Sequence, residues 1–380
     1  MIIAANRLKT VQEYYFSKKL REVNQLTSEG KPVINMGIGS PDMHPPKAVI
    51  NAIQNSLTEE NAHKYQSYQG LPEFRDAIAS FYKKKYNVTI DPQKEILPLM
   101  GSKEGIMHIS LAFLNEGDHV LIPNPGYPTY SSVTKLVGAE PIFYNLKSDD
   151  GWQPNFIELE KLDLKKVKLM WVNYPHMPTG AKAKEETLKE LVLFGKKHKI
   201  IVVNDNPYSF ILNKKPQSIF QIEGAKNVAL ELNSLSKSFN MAGWRVGKLI
   251  GNSSFLNEIL KVKTQMDSGM FYGIQKGAIK ALELKENWFF EQNEIYKRRQ
   301  KLIFELSDIL NCKYDKNAIG MFVWAKLQNG KSSESMVDHL LYDKNIFVAP
   351  GSIFGSQGEG YIRFSLCLSE TKIKEAITRF

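Results

Sequence analysis

Lys237 lies in the stretch Ser234-Leu235-Ser236-Lys237-Ser238-Phe239-Asn240-Met241-Ala242-Gly243-Trp244-Arg245, an amine among hydroxyls with a guanidinium eight residues on. A lysine that is partly desolvated and close to other cations has a lowered pKa, so its free base can attack an aldehyde and form a Schiff base. Ser234, through its hydroxyl, and Arg245, through a planar fork that matches phosphate oxygens, would meanwhile hold a phosphate. The ligand these three residues describe carries both an aldehyde and a phosphate. Taken alone, the segment also fits a solvated Ser/Lys turn.

Other segments fit the same ligand. Gly101-Ser102-Lys103-Glu104-Gly105 precedes an apolar helical run, Ile106 to Phe113, whose first N–H groups would point at an anion. It is not a GxxxxGK[ST] loop, and Gly37-Ile38-Gly39 lacks the third glycine of a dinucleotide fingerprint, which argues against a nucleotide. Asp205 closes the apolar run Val202-Val203-Asn204-Asp205-Asn206-Pro207-Tyr208, where a carboxylate is costly unless paired. Facing a pyridine nitrogen, Asp205 would keep it protonated and make the ring an electron acceptor, and Tyr208 could donate to the ring's phenolic oxygen. A plain turn before Pro207 is the alternative use of this aspartate. Together these residues describe a site for pyridoxal 5'-phosphate. In Tyr361-Ile362-Arg363-Phe364-Ser365-Leu366 the period of two sets Arg363 opposite the apolar face, outward or into a cleft, where it could take a substrate carboxylate in a bidentate grip.

These residues need elements to carry them. From about residue 46 to 285, short apolar runs alternate with helical patterns, which predicts βαβ units and a mostly parallel sheet. Strands are expected at 96–100, 119–122, 167–172, 199–203 and 228–232. The polar candidates follow their carboxyl ends: Ser102 and Lys103, Tyr127, Asn173 with the Pro178-Thr179-Gly180 turn, Asp205, and Lys237. That is where open α/β sheets bind ligands. Beyond Glu283 a helical pattern sets Leu302, Ile303, Leu306, Ile309 and Leu310 on one face, and short strands follow at 319–324 and 361–366. The expected organisation is an α/β chain with a large domain over 46–285 and a small one built from 1–45 and 286–380.

A length of 380 residues with 43% apolar content accommodates two such domains. The formal charge of +10 does not single out a nucleic-acid partner, because acids are interspersed with the bases, as in Lys184-Glu185-Glu186-Thr187-Leu188-Lys189-Glu190. Cys312 and Cys367 are the only cysteines and form no CxxC pair, so free thiols are expected, with neither a disulfide framework nor a metal site. The amino terminus lacks a signal-like pattern and no apolar run reaches eighteen residues, so a cytoplasmic protein without a membrane partner is expected.

Taken together, the residues resemble the class I/II aminotransferases over nearly the whole chain. The resemblance rests chiefly on Ser234-Leu235-Ser236-Lys237 with Gly243-Trp244-Arg245-Val246-Gly247, and on Asp205-Asn206-Pro207-Tyr208. Tyr65 to Arg75, Asn124-Pro125-Gly126-Tyr127-Pro128 and Gly39-Ser40-Pro41-Asp42 add to it. It implies the fold of aspartate aminotransferase and a ping-pong exchange of an amino group between an L-amino acid and a 2-oxo acid. Lys237 would be the Schiff-base lysine that moves the proton, Asp205 the partner of the pyridine nitrogen, Tyr208 of the phenolic oxygen, and Tyr127 would stack on the ring. Ser102, Lys103, Ser234 and Arg245 would surround the phosphate. Tyr65 would reach the phosphate of a neighbouring subunit, which implies a homodimer with shared sites. Gly39 would border the substrate and Arg363 would bind its α-carboxylate.

The pattern departs at Met177. The family reads Asn-Pro-Thr-Gly where this chain has Met177-Pro178-Thr179-Gly180, and a thioether cannot donate to the phenolic oxygen. Tyr208 would then hold that oxygen alone, or Asn173 or His176 would substitute, and Met177→Asn is expected to keep or improve transamination. Loss of cofactor binding in that variant would show that Met177 does not sit beside the ring. A β C–S lyase of the same fold, releasing pyruvate and ammonia from cystathionine, is the alternative enzyme. A non-enzymatic regulator is the third reading, and it would need a DNA-binding module ahead of residue 37.

Overall fold

The structure, a computed structural model, describes every residue except Met1, Gln12, Tyr14 and Asn329. The strands are β1 Ile34–Asn35, β2 Ile96–Leu99, β3 His119–Asn124, β4 Glu140–Asn145, β5 Val167–Val172, β6 Ile201–Asp205, β7 Ala229–Ser234, β8 Gly247–Gly251, β9 Phe322–Lys326, β10 Ile346–Phe347, β11 Ala349–Pro350 and β12 Tyr361–Ser365. Seven of them form one sheet in the order β2-β8-β7-β6-β5-β3-β4. Its central pairs are parallel, and β8 runs antiparallel to both of its neighbours, β2 and β7.

The strands alternate their side chains between two cores. Met170, Val172 and Val202 pack against helices Pro72–Tyr86 and Glu185–His198, whereas Leu169, Trp171 and Val203 pack against helices Ser102–Phe113 and Ser253–Lys263. A sheet covered on both faces reads in sequence as unbroken apolar runs, which is why β3, β5, β6 and β7 were visible there. The edge strand β4 leaves Phe143 half exposed, and β8 is Gly-Lys-Leu-Ile-Gly with its lysine buried, so neither carries such a run.

Three strands start later than the sequence suggests: β9 begins at Phe322 rather than at 319, and β6 and β7 are each delayed for a local reason. Helix Glu185–His198 ends with Lys199 in the left-handed region at φ 57°, so β6 cannot begin there and instead runs on to Asp205. A short 3-10 turn, Ala225–Asn227, likewise delays β7 and carries it to Ser234. Both shifts move a functional side chain to the strand's last position. Helix Glu185–His198 is otherwise as its pattern indicates: acids open it, Lys196, Lys197 and His198 close it, and Leu188, Leu191 and Val192 are buried.

A further core joins the two ends of the chain. Phe16, Val23, Ile34 and Met36 pack with Ile303, Phe347 and Phe364, and β9, β11 and β12 form an antiparallel sheet while β1 pairs with β10. At the long helix Glu286–Ile309, Ile303 and Leu306 are buried and Leu302 and Leu310 pack against the same core, whereas Ile309, 46% exposed, stands off the expected stripe. Met177 and Tyr208 belong to this core too, which places a seam between sheet and small core next to Asp205. No described helix is long and apolar enough to cross a membrane.

Candidate active site

The carboxyl ends of β2, β3, β5, β6 and β7 open into one cavity of about 550 Å³. Ser102 and Lys103 enter it from the helix after β2, Tyr127 from the loop after β3, and Asn173 from β5. Asp205 and Tyr208 come from β6, and Ser234, Lys237 and Arg245 from β7 and the turn beyond. Gly39 and Arg363 close the opposite wall. Of the residues singled out from sequence, Tyr65 stands outside the cavity, 90% exposed. The Thr179-Gly180 turn also lies outside, with Thr179 bonded to His176 Nδ1 at 2.8 Å.

Lys237 Nζ donates to the carbonyl of Gly39 at 2.5 Å. Burial lowers its pKa, and the Arg363 and Arg245 guanidiniums push the same way, against Cys367 and Asp205. The amine is therefore biased toward the neutral form that can act as a nucleophile. Asp205 is 5% exposed, and its Oδ2 accepts from Tyr130 at 2.8 Å while Oδ1 has no hydrogen-bond partner. Burial raises its pKa to about 6, with the Tyr130 hydroxyl and the Lys237 charge holding it back. Tyr130 is itself fixed by stacking on Trp171, ring centroids 4.8 Å apart and planes within 5°.

At the other end of the cavity Gly101 makes room for Arg245, and Gly247 makes room for the helix start at Ser102. Gly101 has φ +92°, and a Cβ there would lie 2.0 Å from Arg245 Nη2; a Cβ on Gly247 would lie 2.6 Å from the Ser102 nitrogen. Helix Ser102–Phe113 starts here, so its first N–H groups and the guanidinium share one corner. Arg245, left-handed at φ 57°, also donates to the carbonyl of Ala242 at 3.0 Å. Gly101→Ala should displace the guanidinium and weaken capture of a phosphate-bearing ligand by about 10- to 100-fold, the cost of one charged hydrogen bond. A fluorescence titration against wild type checks this; equal affinities would separate Arg245 from the phosphate.

Arg363, 4% exposed, faces the cleft rather than solvent. It donates to the carbonyl of Gly37 at 2.8 Å and to Met177 Sδ at 3.3 Å. Its guanidinium lies 3.9 Å from the ring centre of Phe322, 4.7 Å from Phe354 and 5.4 Å from Phe16. The side-chain oxygen of Asn173 accepts from the Met177 nitrogen at 2.8 Å, and its amide donates to the Asp205 carbonyl. His176, whose pKa burial lowers to about 3, does not line the cavity, whereas Asn173 does.

The sequence profile of Aminotransferase class I and II matches residues 31–380. The chain belongs to the class I and II aminotransferases. It is 38% identical to the LL-diaminopimelate aminotransferase of Aquifex aeolicus over 377 residues, 99% of this chain and 97% of that protein. With the enzyme of the same name from Maridesulfovibrio salexigens it shares 39% over 378 residues, again 99% and 97%. The structure of apo BacF from Bacillus subtilis superposes with a TM-score of 0.96 at 34% identity, covering 100% of this chain and 98% of that one. A Thermus thermophilus aspartate aminotransferase mutant, 23% identical, gives 0.92 over 100% and 99%, a likeness of fold.

The aminotransferase is thus a pyridoxal-phosphate-dependent transaminase that moves an amino group between an amino acid and a 2-oxo acid. Its cavity fits that cofactor: the orphaned Oδ1 of Asp205 suits a protonated ring nitrogen, and the start of helix Ser102–Phe113, with the Arg245 guanidinium packed against Gly101, suits a phosphate. Two contributors escaped the sequence reading. Tyr130, three residues after Tyr127, was masked by an ordinary helix start, since helix Pro128–Leu136 begins between them. Arg299 grips Asp42 in a bidentate pair at 2.7 and 2.8 Å and so anchors the loop carrying Gly39, but 257 residues separate the partners. A three-residue acid and histidine group, Glu104, His108 and Asp267, lies outside the cavity, and both Asp267 oxygens accept from Lys263.

Proposed function

We propose that this aminotransferase works through Lys237 as covalent anchor and proton carrier, with Asp205, Tyr208 and Asn173 around the cofactor ring and Arg363 gripping the substrate α-carboxylate. When bound, pyridoxal phosphate supplies an electrophilic aldehyde and a ring that draws electron density from the substrate α-carbon. The observation that carries the reading is the buried Asp205 Oδ1, without a partner in the same cavity as an amine of lowered pKa. Ionised opposite a ring nitrogen, Asp205 holds the proton on it, and the Tyr130 hydrogen bond keeps the carboxylate oriented. Tyr127 would stack on the ring. Tyr208, whose proton burial keeps on it, would donate its hydroxyl to the phenolic oxygen.

Ser102, Lys103, Ser234 and Arg245 hold the phosphate at the helix start, the first two through backbone N–H groups. With the cofactor bound, Lys237 Nζ, placed beside the Gly39 carbonyl that it bonds here, would be the base that moves the proton from the substrate α-carbon. Arg363, held by three aromatic rings, orients the α-carbon. We further propose a cytoplasmic homodimer in which the exposed Tyr65 reaches the phosphate of the partner's site, and a division into a large domain over 46–285 and a small one from both chain ends. Both chain ends contribute to one core, which supports that division.

The experiment is Arg363→Ala. It should raise KM about 10- to 100-fold for every amino acid with kcat little changed, because a carboxylate grip acts in ground and transition states alike. An unaltered KM would remove Arg363 from the substrate site.

A further inference from the structure

The roles just proposed use all but one of the charged side chains in the cavity. Among the described lining residues the cations are Lys103, Lys237, Arg245 and Arg363, and the anion is Asp205. Resting on the proposed reading, Arg245 and the adjacent helix start that bears Lys103 take the phosphate, Asp205 the ring nitrogen, Lys237 the aldehyde carbon, and Arg363 the α-carboxylate. Apart from Lys103, whose side chain belongs to the phosphate-binding helix start, no described charged lining residue is left for the rest of the amino acid. The remaining lining is uncharged and includes Phe16, Leu20, Ile38, Met177, Phe322 and Phe354, with the Ser17 hydroxyl among them.

That wall is built from rigid pieces. Phe322 and Phe354 are 5% and 4% exposed and clasp the guanidinium of Arg363, so a carboxylate bound there emerges between aromatic faces. Phe16 and Leu20 are four residues apart on one side of helix Tyr15–Ser28, and Phe16 packs against Phe354 at 6.4 Å between ring centres. Gly39 is held bare by the same packing, since a Cβ there would lie 2.3 Å from Phe322. At Met177 the chain places a thioether, which offers contact area and no donor.

We infer that this aminotransferase selects amino acids with large uncharged side chains, aromatic or long aliphatic, read by Phe16, Leu20 and Ile38. A distal carboxylate or ammonium would find no charged partner in this wall, and burying a charge without a partner is costly. An apolar side chain instead gains contact with the rings. This sets the chain apart from its relatives named for LL-diaminopimelate, a substrate whose far end carries a second amino acid group.

Two measurements on the cofactor-loaded protein test the inference. In single turnovers followed by cofactor absorbance, phenylalanine, leucine and methionine should react with kcat/KM at least about tenfold above aspartate, glutamate, lysine and LL-diaminopimelate, one tenfold step being a modest discrimination for such a pocket. In calorimetry, the unreactive 3-phenylpropionate should bind at least about tenfold more tightly than glutarate, which carries a second carboxylate. Leu20→Arg should shrink the phenylalanine-to-glutamate ratio about tenfold or more. Preference for LL-diaminopimelate or a dicarboxylic amino acid, or tighter binding of glutarate, overturns the inference while leaving the transaminase assignment intact. If no amino acid discharges the bound cofactor, the roles given to Lys237 and Asp205 fall, and the selectivity inference falls with them.

Discussion

Lys237→Ala is expected to lower kcat by at least about 10⁴-fold for every amino acid, in a protein that still folds. The loss combines two effects at one atom. Nζ is the proposed nucleophile that tethers the cofactor, and it is also the base that moves the α-proton, a role worth about 10²–10⁴-fold on its own. Folding should survive because the side chain is desolvated next to two guanidiniums, with Asp205 as an offsetting charge and the Cys367 thiol held neutral by burial, so its removal relieves an electrostatic cost as well as losing the Gly39 contact. Small primary amines added to the variant should restore part of the α-proton transfer, since they fit the space of the missing stem. Steady-state kinetics together with a thermal melt check this. A variant that turns over within tenfold of wild type would show that another group carries the proton.

Asp205→Asn should cost about 10²–10³ in kcat, the range seen when one preorganised electrostatic partner is removed from a buried reaction centre. The amide keeps the shape and can still meet Tyr130, but it cannot hold a proton on the ring nitrogen. The same substitution should stabilise the cofactor-free protein. The folded pKa of about 6 lies above the ordinary 3.8, so the stability this carboxyl contributes is complete below pH 4 and is lost as pH rises through 6. The difference between those two values corresponds to about 2–3 kcal/mol at 1.36 kcal/mol per unit. Cofactor-free Asp205→Asn should therefore melt above cofactor-free wild type at pH 8, with the gap closing by pH 4. Parallel Tm curves across that window would mean that Asp205 ionises in the fold without penalty.

Most of the site was legible because its residues follow apolar strands at short range. Asp205 and Ser234 end β6 and β7, Ser102 opens the helix after β2, and Lys237 lies three residues beyond β7, so each is fixed by a local pattern. Arg363 was half legible: the period of two set it apart from Ile362 and Phe364, but only the packing of β12 between β11 and β9 turns it into the cleft. What stayed hidden depends on contacts that no local pattern encodes. Tyr130 reaches Asp205 across 75 residues, Arg299 reaches Asp42 across 257, and the wall formed by Phe16 and Leu20 belongs to a helix far from the sheet in sequence. Met177 was visible as a departure from the family pattern, whereas its contact with Arg363 was not.

The most direct test is to load the purified protein with pyridoxal phosphate, reduce it with borohydride, digest it and sequence the modified peptide by mass spectrometry. The pyridoxyl mass should sit on Lys237, in the Ser234 to Arg245 segment, at close to one per chain. A label on Lys103 or spread over surface lysines, or no label in a protein that transaminates, would contradict the covalent role of this amine.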